Sequence, residues 1–329
     1  MNREEAIVLI NHTNNTNFNE MAMRVFCYQT ENCLVFQLFQ KLIGFQTADH
    51  QLPNWVPFLP VSLFKNQEIL TKEKEAKEIF YSSGTIGKGP SRHLVAEPEL
   101  YTISYNKAFR HFYGNPKDWC ILCLLPGYLE REGSSLIAMA KDLTEQSKDP
   151  DSGFFLYEHE ALYHLLLKKV DEGKKTLLLG VSYALLDFSE KYHLPESGLV
   201  VMETGGMKGR KKEMIRSELH QVLQSALGVK QIHSEYGMTE LLSQAYSQGD
   251  GRFHCPPWMR VIVRDQSDPL SENLIGKRGR ICVIDLANVY SCSFIETEDL
   301  GIVYEDGSFE ILGRLDHSDI RGCNVMVSR

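Results

Sequence analysis

From about residue 76 the chain alternates between short runs rich in β-branched and aromatic residues and longer stretches in which apolar positions recur every three or four residues. Glu78 to Tyr81 predicts a strand. Pro98 predicts a helix start, because its missing N–H is no loss in a first helical turn, and the pattern runs to about His111. Trp119 to Leu125 predicts a buried strand, followed by Pro126-Gly127 and a helix from about Gly133 to Gln146. A helix near His159 to Val170, a strand from Thr176 to Leu179, a helix from Tyr183 and a strand from Gly198 to Met202 continue the alternation. Ile215, Leu219, Val222 and Ala226 fall on one helical face that ends near Gly228. The pattern predicts the α/β class, with helix-covered, mostly parallel sheet whose ligands sit at the carboxyl ends of strands.

After about 255 the period changes. Met259 to Arg264, Arg280 to Leu286, Ser291 to Ile295, Leu300 to Tyr304 and Phe309 to Leu312 predict short strands, with turns at Asp268-Pro269 and Glu305-Asp306-Gly307. Residues 1–75 predict a helical, irregular preamble, with the apolar run Val35 to Phe39 and a proline-punctuated stretch from Pro53 to Pro60, packed on the core. The expected division is a preamble over 1–75, an α/β core over 76–254, and a smaller β-rich subdomain with a C-terminal tail over 255–329.

Composition narrows the classes. Of 329 residues, 43% are hydrophobic and 24% charged, values of an ordered globular chain. The formal net charge of −8 argues against a general nucleic-acid binder. No apolar run approaches the roughly 18 residues of a membrane span, and Met1-Asn2-Arg3-Glu4-Glu5 leads into no signal-peptide core, so a cytoplasmic protein is expected. Eight cysteines are scattered through a chain too large to need disulfide staples. Cys120-x-x-Cys123 reads as part of a buried strand, and His254-Cys255 offers two metal ligands without sequence partners, which leaves zinc as an open option.

The stretch Tyr81-Ser82-Ser83-Gly84-Thr85-Ile86-Gly87-Lys88-Gly89 combines three glycines, three Ser/Thr hydroxyls and a lysine. Its N–H groups and hydroxyls suit an anion, ATP first, although its spacing is not that of the nucleotide-triphosphatase loop. Glu203-Thr204-Gly205-Gly206 follows a strand and leaves backbone open to a flat ring. Tyr236-Gly237-Met238-Thr239-Glu240 supplies a ring, a hydroxyl and a carboxylate, while Thr297-Glu298-Asp299-Leu300-Gly301 and Ile311-Leu312-Gly313-Arg314 add an acid and a base. Taken singly, each has a plainer role: Glu240 a solvated charge, Asp299-Leu300-Gly301 a turn, Arg314 a surface cation, Gly205-Gly206 a strand exit.

In this order the motifs resemble the adenylate-forming superfamily of acyl-CoA synthetases and peptide-synthetase adenylation domains. The resemblance implies that Ser82, Ser83, Thr85 and Lys88 form the phosphate loop with Gly84 and Gly87. It implies that Gly205, Gly206 and Tyr236 hold adenine next to Gly237, that Thr239 lies near the α-phosphate, that Glu240 binds Mg2+, and that Asp299 and Arg314 meet the ribose. Such groups suit attack of a carboxylate on the α-phosphorus of ATP, where charge builds on a pentacovalent phosphate. Full-length superfamily members continue for about a hundred residues past the Gly-Arg motif into a lysine-bearing lid, whereas this chain stops at Arg329, so a lid domain is expected to be absent. That length, the stretch Pro126-Gly127-Tyr128-Leu129-Glu130-Arg131-Glu132-Gly133-Ser134-Ser135-Leu136 and the ending Ile320-Arg321-Gly322-Cys323 resemble the LuxE-type acyl-protein synthetases of the bacterial fatty-acid reductase complex. Membership would make Cys323 the acyl-accepting thiol, supplied with a fatty acid through acyl-AMP and serving an acyl reductase; a cation such as Arg321 would favour its thiolate. Cys323 could instead just replace the aromatic or apolar residue of the superfamily. Delivery to coenzyme A or a carrier protein, or a non-catalytic nucleotide-binding subunit, are the competing readings. Tyr128 and Arg131 fit an acyl pocket, a phosphate contact or simple packing equally.

Overall fold

Three helices lead the chain: α1 (Arg3–His12), α2 (Phe18–Asn32) and α3 (Leu34–Leu42). Asn2 caps α1, its side chain accepting from the Glu5 N–H while the Glu5 carboxylate accepts from the Asn2 N–H. The structure, a computed structural model, describes residues 1–45, 56–82, 89–126, 133–205, 214–268 and 270–315. A short strand β1 (Leu59–Pro60) and a 3-10 turn (Val61–Lys65) precede the hairpin β2 (Glu78–Tyr81) and β3 (Arg92–Val95), whose connection carries the glycine-rich loop. Helix α4 (Pro98–Tyr113) begins at the expected proline. Its Lys107 reaches back to donate to the Ile10 and Asn11 carbonyls at 2.6 and 2.8 Å, satisfying acceptors left open at the end of α1.

The central sheet is built by β4 (Cys120–Leu124), α5 (Ser135–Gln146), β5 (Gly153–Phe155), α6 (His159–Asp171), β6 (Thr176–Val181), α7 (Ser182–Ser189), β7 (Val200–Thr204), α8 (Arg216–Leu227), β8 (Ile232–Tyr236) and β9 (Ala245–Ser247). The strand order is β5-β4-β6-β7-β8-β9, parallel except for β9. Strands β4 and β6 are buried along their whole length, which explains their near-continuous apolar runs. Cys120 and Cys123 are such buried strand residues, and burial pushes both thiols up, Cys120 to about 11.

A second sheet comprises β10 (Met259–Arg264), β11 (Gly279–Asp285), β12 (Phe294–Val303) and β13 (Phe309–Arg314). Its path is β1-β12-β11-β10, with β13 also on β12. The N-terminal segment therefore does more than pack against the rest of the chain: Leu59 and Pro60 add a parallel strand to β12. The two strands expected at Ser291–Ile295 and Leu300–Tyr304 are in fact one, β12, and residues 286–293 form a loop. The charged run Glu296-Thr297-Glu298-Asp299 suggests a turn, yet Glu296, Thr297 and Asp299 are buried in the strand. The register shifts between Leu300 and Gly301, where a side chain on Gly301 would lie 2.2 Å from the Glu310 carbonyl oxygen, so glycine admits the bulge. β3, β5, β8 and β9 carry no signal read above; β5 and β9 are only three residues long, and in β3 and β8 buried polar residues such as His93 and Ser234 break the apolar pattern.

Gly228 ends α8 in the left-handed conformation, φ 60°, and a Cβ there would sit 2.0 Å from the Pro195 carbonyl oxygen. Its own carbonyl accepts from Ser197 N–H at 2.8 Å. Gly228→Ala is expected to lower stability by about 2–4 kcal/mol, combining a strained backbone with displacement of the 194–197 segment. Urea unfolding of the two proteins at equal m-value measures this; an unchanged midpoint would show that the turn relaxes freely.

Candidate active site

The parallel strands point their carboxyl ends at one edge, and the site assembles there. At the base of the glycine-rich loop, Ser82 N–H donates to the Ser91 carbonyl at 3.1 Å and Ser91 N–H donates to Ser82 Oγ at 2.8 Å, closing the neck of the hairpin. Beside it, Tyr81 N–H donates to the Gly133 carbonyl at 2.8 Å. Gly133 has φ 73°, and a Cβ on it would meet the Tyr81 ring at 2.7 Å and the Ile79 carbonyl oxygen at 2.8 Å, so the chain entering α5 lies directly on the β2 edge. Residues 83–88 and 127–132 lie outside the described residues, which removes Ser83, Gly84, Thr85, Gly87, Lys88, Tyr128 and Arg131 from description. Gly206, Arg321 and Cys323 also lie outside them.

Gly205 follows β7 with φ 67°. Ser182, the first residue of α7, donates its hydroxyl to the Gly205 carbonyl at 2.6 Å and also lies 3.0 Å from Glu203 Oε2. Glu203 is buried with Arg216 and His220 of α8; burial alone would raise its pKa, but His220 and Arg216 bring it below the ordinary value.

Tyr236 closes β8. Its ring meets Phe253 and Phe309 edge-on, and its hydroxyl donates to Asp299 Oδ2 at 2.9 Å. Arg314, the cross-strand partner of Asp299, donates from Nε to Oδ1 at 3.4 Å. The two contacts differ in weight. The tyrosine bond is buried, where leaving a partner unmade costs about 1–3 kcal/mol. The Arg314 side chain is 71% exposed, and such pairs contribute about 0–1 kcal/mol. Each carboxylate oxygen has a second lone pair, so Asp299 keeps capacity for further donors such as sugar hydroxyls.

Glu240 is 6% exposed, and burial raises its pKa; the Ser91 hydroxyl, its own backbone N–H and the charges of Arg314 and Lys65 oppose that shift. Ser91 thus joins the neck of the glycine-rich loop to Glu240, and Arg314 acts on both Glu240 and the Tyr236 hydroxyl. Ser82, Gly205, Tyr236, Gly237, Thr239, Glu240 and Arg314 therefore sit on loops and strand ends around the carboxyl edge of β7 and β8, and Asp299 is brought to them from the middle of β12 by the Tyr236 hydroxyl. Ser91, Ser182, Lys65 and Glu235 were missed by sequence reading. Ser91 carried a weak signal, a hydroxyl directly after the Gly-Pro exit of the loop; Lys65 carried none.

Glu235, beside Tyr236, is buried against Tyr101, Tyr113 and Tyr246, and its carboxylate accepts from the Thr204 hydroxyl. Gly237 has no room for a side chain, since a Cβ would lie 2.5 Å from Glu235 Oε1. Among the described residues no group of three His, Cys, Asp or Glu side chains gathers as a metal site, at His254-Cys255 or elsewhere. Among them no helix is long and apolar enough to cross a membrane.

This fold is that of adenylate-forming enzymes. It superimposes on 2-hydroxyisobutyryl-CoA ligase in an open conformation with 2-HIB-AMP and CoA at TM-score 0.69, 14% identity, 92% of this chain and 70% of that one. It also superimposes on ATP-bound MatB from Rhodopseudomonas palustris at TM-score 0.54, 19% identity, 72% of this chain and 47% of that one. The chain aligns with about half the length of the MatB structures. The family described as acyl-protein synthetase, LuxE, matches residues 165–329, and the chain belongs to it. No curated protein matches the sequence.

Burial lifts the Glu235 carboxyl from an ordinary 4.5 to about 7, with Glu203 adding repulsion. Below about 4.5 both states hold the proton and nothing is lost; between about 4.5 and 7 the unfolded chain ionises while the fold keeps its proton, so stability falls across that window and the loss is complete above about 7. Glu235→Gln keeps an acceptor for Thr204 and removes that charge. The variant is expected to be more stable than wild type by about 1–3 kcal/mol at pH 8, with the difference closing below pH 5. Urea midpoints at the two pH values decide it; a constant difference would assign the effect to packing.

Proposed function

We propose that this protein activates a fatty acid with Mg2+ and ATP to acyl-AMP, and then carries the acyl group as a thioester on Cys323 for an acyl reductase. The observation that supports this most directly is the meeting of three distant segments: Ser82 and Ser91 at the loop neck, Glu240 bonded to Ser91, and Arg314 on Asp299 with the Tyr236 hydroxyl. Membership of the LuxE family supports the protein-thiol acceptor.

In this reading Ser82, Ser83, Thr85 and Lys88 take the phosphates, Gly205 and Gly206 line adenine together with Tyr236 and Gly237, and Asp299 accepts from ribose hydroxyls next to Arg314. Ser182 holds the Gly205 carbonyl at 2.6 Å. Glu240 fits Mg2+: it presents a hard oxygen donor in a buried position where its charge is disfavoured until a cation joins it. Bound there with the phosphates, Mg2+ would neutralise charge developing at phosphorus. The carboxylate oxygen of the acid attacks the α-phosphorus and pyrophosphate leaves, Thr239 donating its hydroxyl to the α-phosphate. The Cys323 thiolate then attacks the acyl carbonyl, forming the C–S bond as AMP departs with the electron pair of the broken C–O bond.

Purified protein with ATP, Mg2+ and a labelled long-chain fatty acid should, after denaturation, carry label that hydroxylamine removes and that Cys323→Ala lacks. Glu240→Gln should lower pyrophosphate release by about 100- to 1,000-fold. Equal label in wild type and Cys323→Ala would move the thiol elsewhere. Acyl-AMP without protein label would favour coenzyme A or a carrier protein as acceptor, and neither product would leave a non-catalytic nucleotide-binding subunit.

A further inference from the structure

The segment between β8 and β9 that carries Thr239 and Glu240 lies outside the sheet ladders, yet Glu240, Leu241, Leu242 and Ser243 are all buried. Buried peptide groups need partners, and for this segment most come from one place, the loop between β11 and β12 and its flank. Asn288, 1% exposed, donates one amide hydrogen to the Glu240 carbonyl at 2.8 Å and the other to the Cys292 carbonyl at 2.9 Å. Asp285, at the end of β11, accepts from Leu242 N–H at 2.8 Å and from the Ser243 hydroxyl at 2.6 Å. The fourth hold comes from β3: His93 is fully buried and places Nδ1 2.8 Å from the Thr239 carbonyl oxygen. The loop that supplies these groups is itself fastened. Gln29 of α2 donates to the Asn288 and Val289 carbonyls at 3.0 and 2.9 Å and accepts from Ser293 N–H at 3.0 Å.

The donors and acceptors fix the orientation of the clamp. With both Asn288 amide hydrogens spent on carbonyls, its oxygen is the atom 3.0 Å from His93 Nε2. The Thr239 carbonyl and Asn288 Oδ1 can both only accept, and burial lowers the His93 pKa to about 4, so the neutral ring has one N–H for two acceptors; the Nδ1–H tautomer, which serves the shorter contact to Thr239, is the one the clamp uses.

We propose that Asn288 and His93 are positioning residues for adenylation: by holding the carbonyls of Thr239 and Glu240 they set the two peptide planes, and so the directions in which the Thr239 hydroxyl and the Glu240 carboxylate point. The β11–β12 loop is the template, and its attachment to Gln29 makes the N-terminal helix α2 part of the same support. Neither residue touches a reacting atom. The proposal rests on the reading of Glu240 as the Mg2+ ligand.

The test uses the full chain with Asn288→Ala, His93→Leu and His93→Asn. Two quantities are read: amide hydrogen exchange of residues 241–243, and pyrophosphate release with kcat and the KM for ATP separated. Asn288→Ala and His93→Leu should speed exchange at 241–243 selectively and lower kcat about 10- to 100-fold with a smaller change in KM, as expected for a misplacement of an ångström or less. His93→Asn keeps an amide donor near the Nδ1 position and should recover most of the rate. Unchanged exchange at 241–243, faster exchange with unchanged kcat, or equal losses in His93→Asn and His93→Leu would each overturn the proposal. Wild type that releases no pyrophosphate would overturn the adenylation reading instead; the exchange data alone then decide whether the clamp exists.

Discussion

A peptide carbonyl buried without a donor costs free energy comparable to a lost hydrogen bond, and the segment around Glu240 is buried while belonging to no ladder. That requirement organises much of the molecule. Asn288 and Asp285 must come from the β-rich sheet, His93 from the hairpin that carries the glycine-rich loop, and Gln29 from the N-terminal helices. Regions far apart in sequence are therefore held together by the needs of about five residues. The same logic explains the buried Ser104, Ser243 and Trp258 triad beneath them, where the indole N–H lies 2.9 and 3.0 Å from the two hydroxyl oxygens.

The parallel sheet provides direction, and these polar clamps provide precision. Strand ends alone would leave Gly205 and Glu240 on free connections. Ser182 holds the first by its carbonyl, and Ser91, Asn288 and His93 hold the second and its neighbour. A site set on rigid elements and braced by side chains that are themselves hydrogen-bonded is what the proposed adenylation would require to stabilise a developing phosphate charge.

The helix-and-strand alternation from Glu78 to Gly228 was legible because burial on a parallel sheet leaves continuous apolar runs, as in Cys120–Leu124 and Thr176–Val181. The motif residues that the structure describes do sit around one edge. What was not legible has a common cause. β12 was split in two because Glu296, Thr297 and Asp299 are polar for the sake of partners across the fold: Arg280 for Glu296, the Ile281 carbonyl for Thr297, Tyr236 for Asp299. Asn288 sits in Leu286-Ala287-Asn288-Val289, which reads as an ordinary strand exit, and His93 sits in a four-residue strand with no periodicity to expose it. Residues selected by a distant acceptor leave no local pattern.

The charge balance around the site follows from these buried groups. In the proposed reading a chain of net charge −8 would receive a polyanionic nucleotide beside Glu203, Glu235, Glu240 and Asp299, all nearly inaccessible. Three of these four carboxylates are answered differently. Glu203 lies against Arg216 and His220 and is held below its ordinary value; Glu235 accepts from a hydroxyl, and burial lifts it to about 7; Glu240 is raised by burial, with Ser91, Arg314 and Lys65 opposing that shift. A carboxylate raised by burial would gain from a divalent ion, because joining one removes the penalty that burial imposes, whereas a carboxylate already paired with arginine would gain less. On the proposed function, Glu240 rather than Glu203 is therefore the better position for a cation, and its contact with Ser91 follows directly from placing the glycine-rich loop's neck against the end of β8.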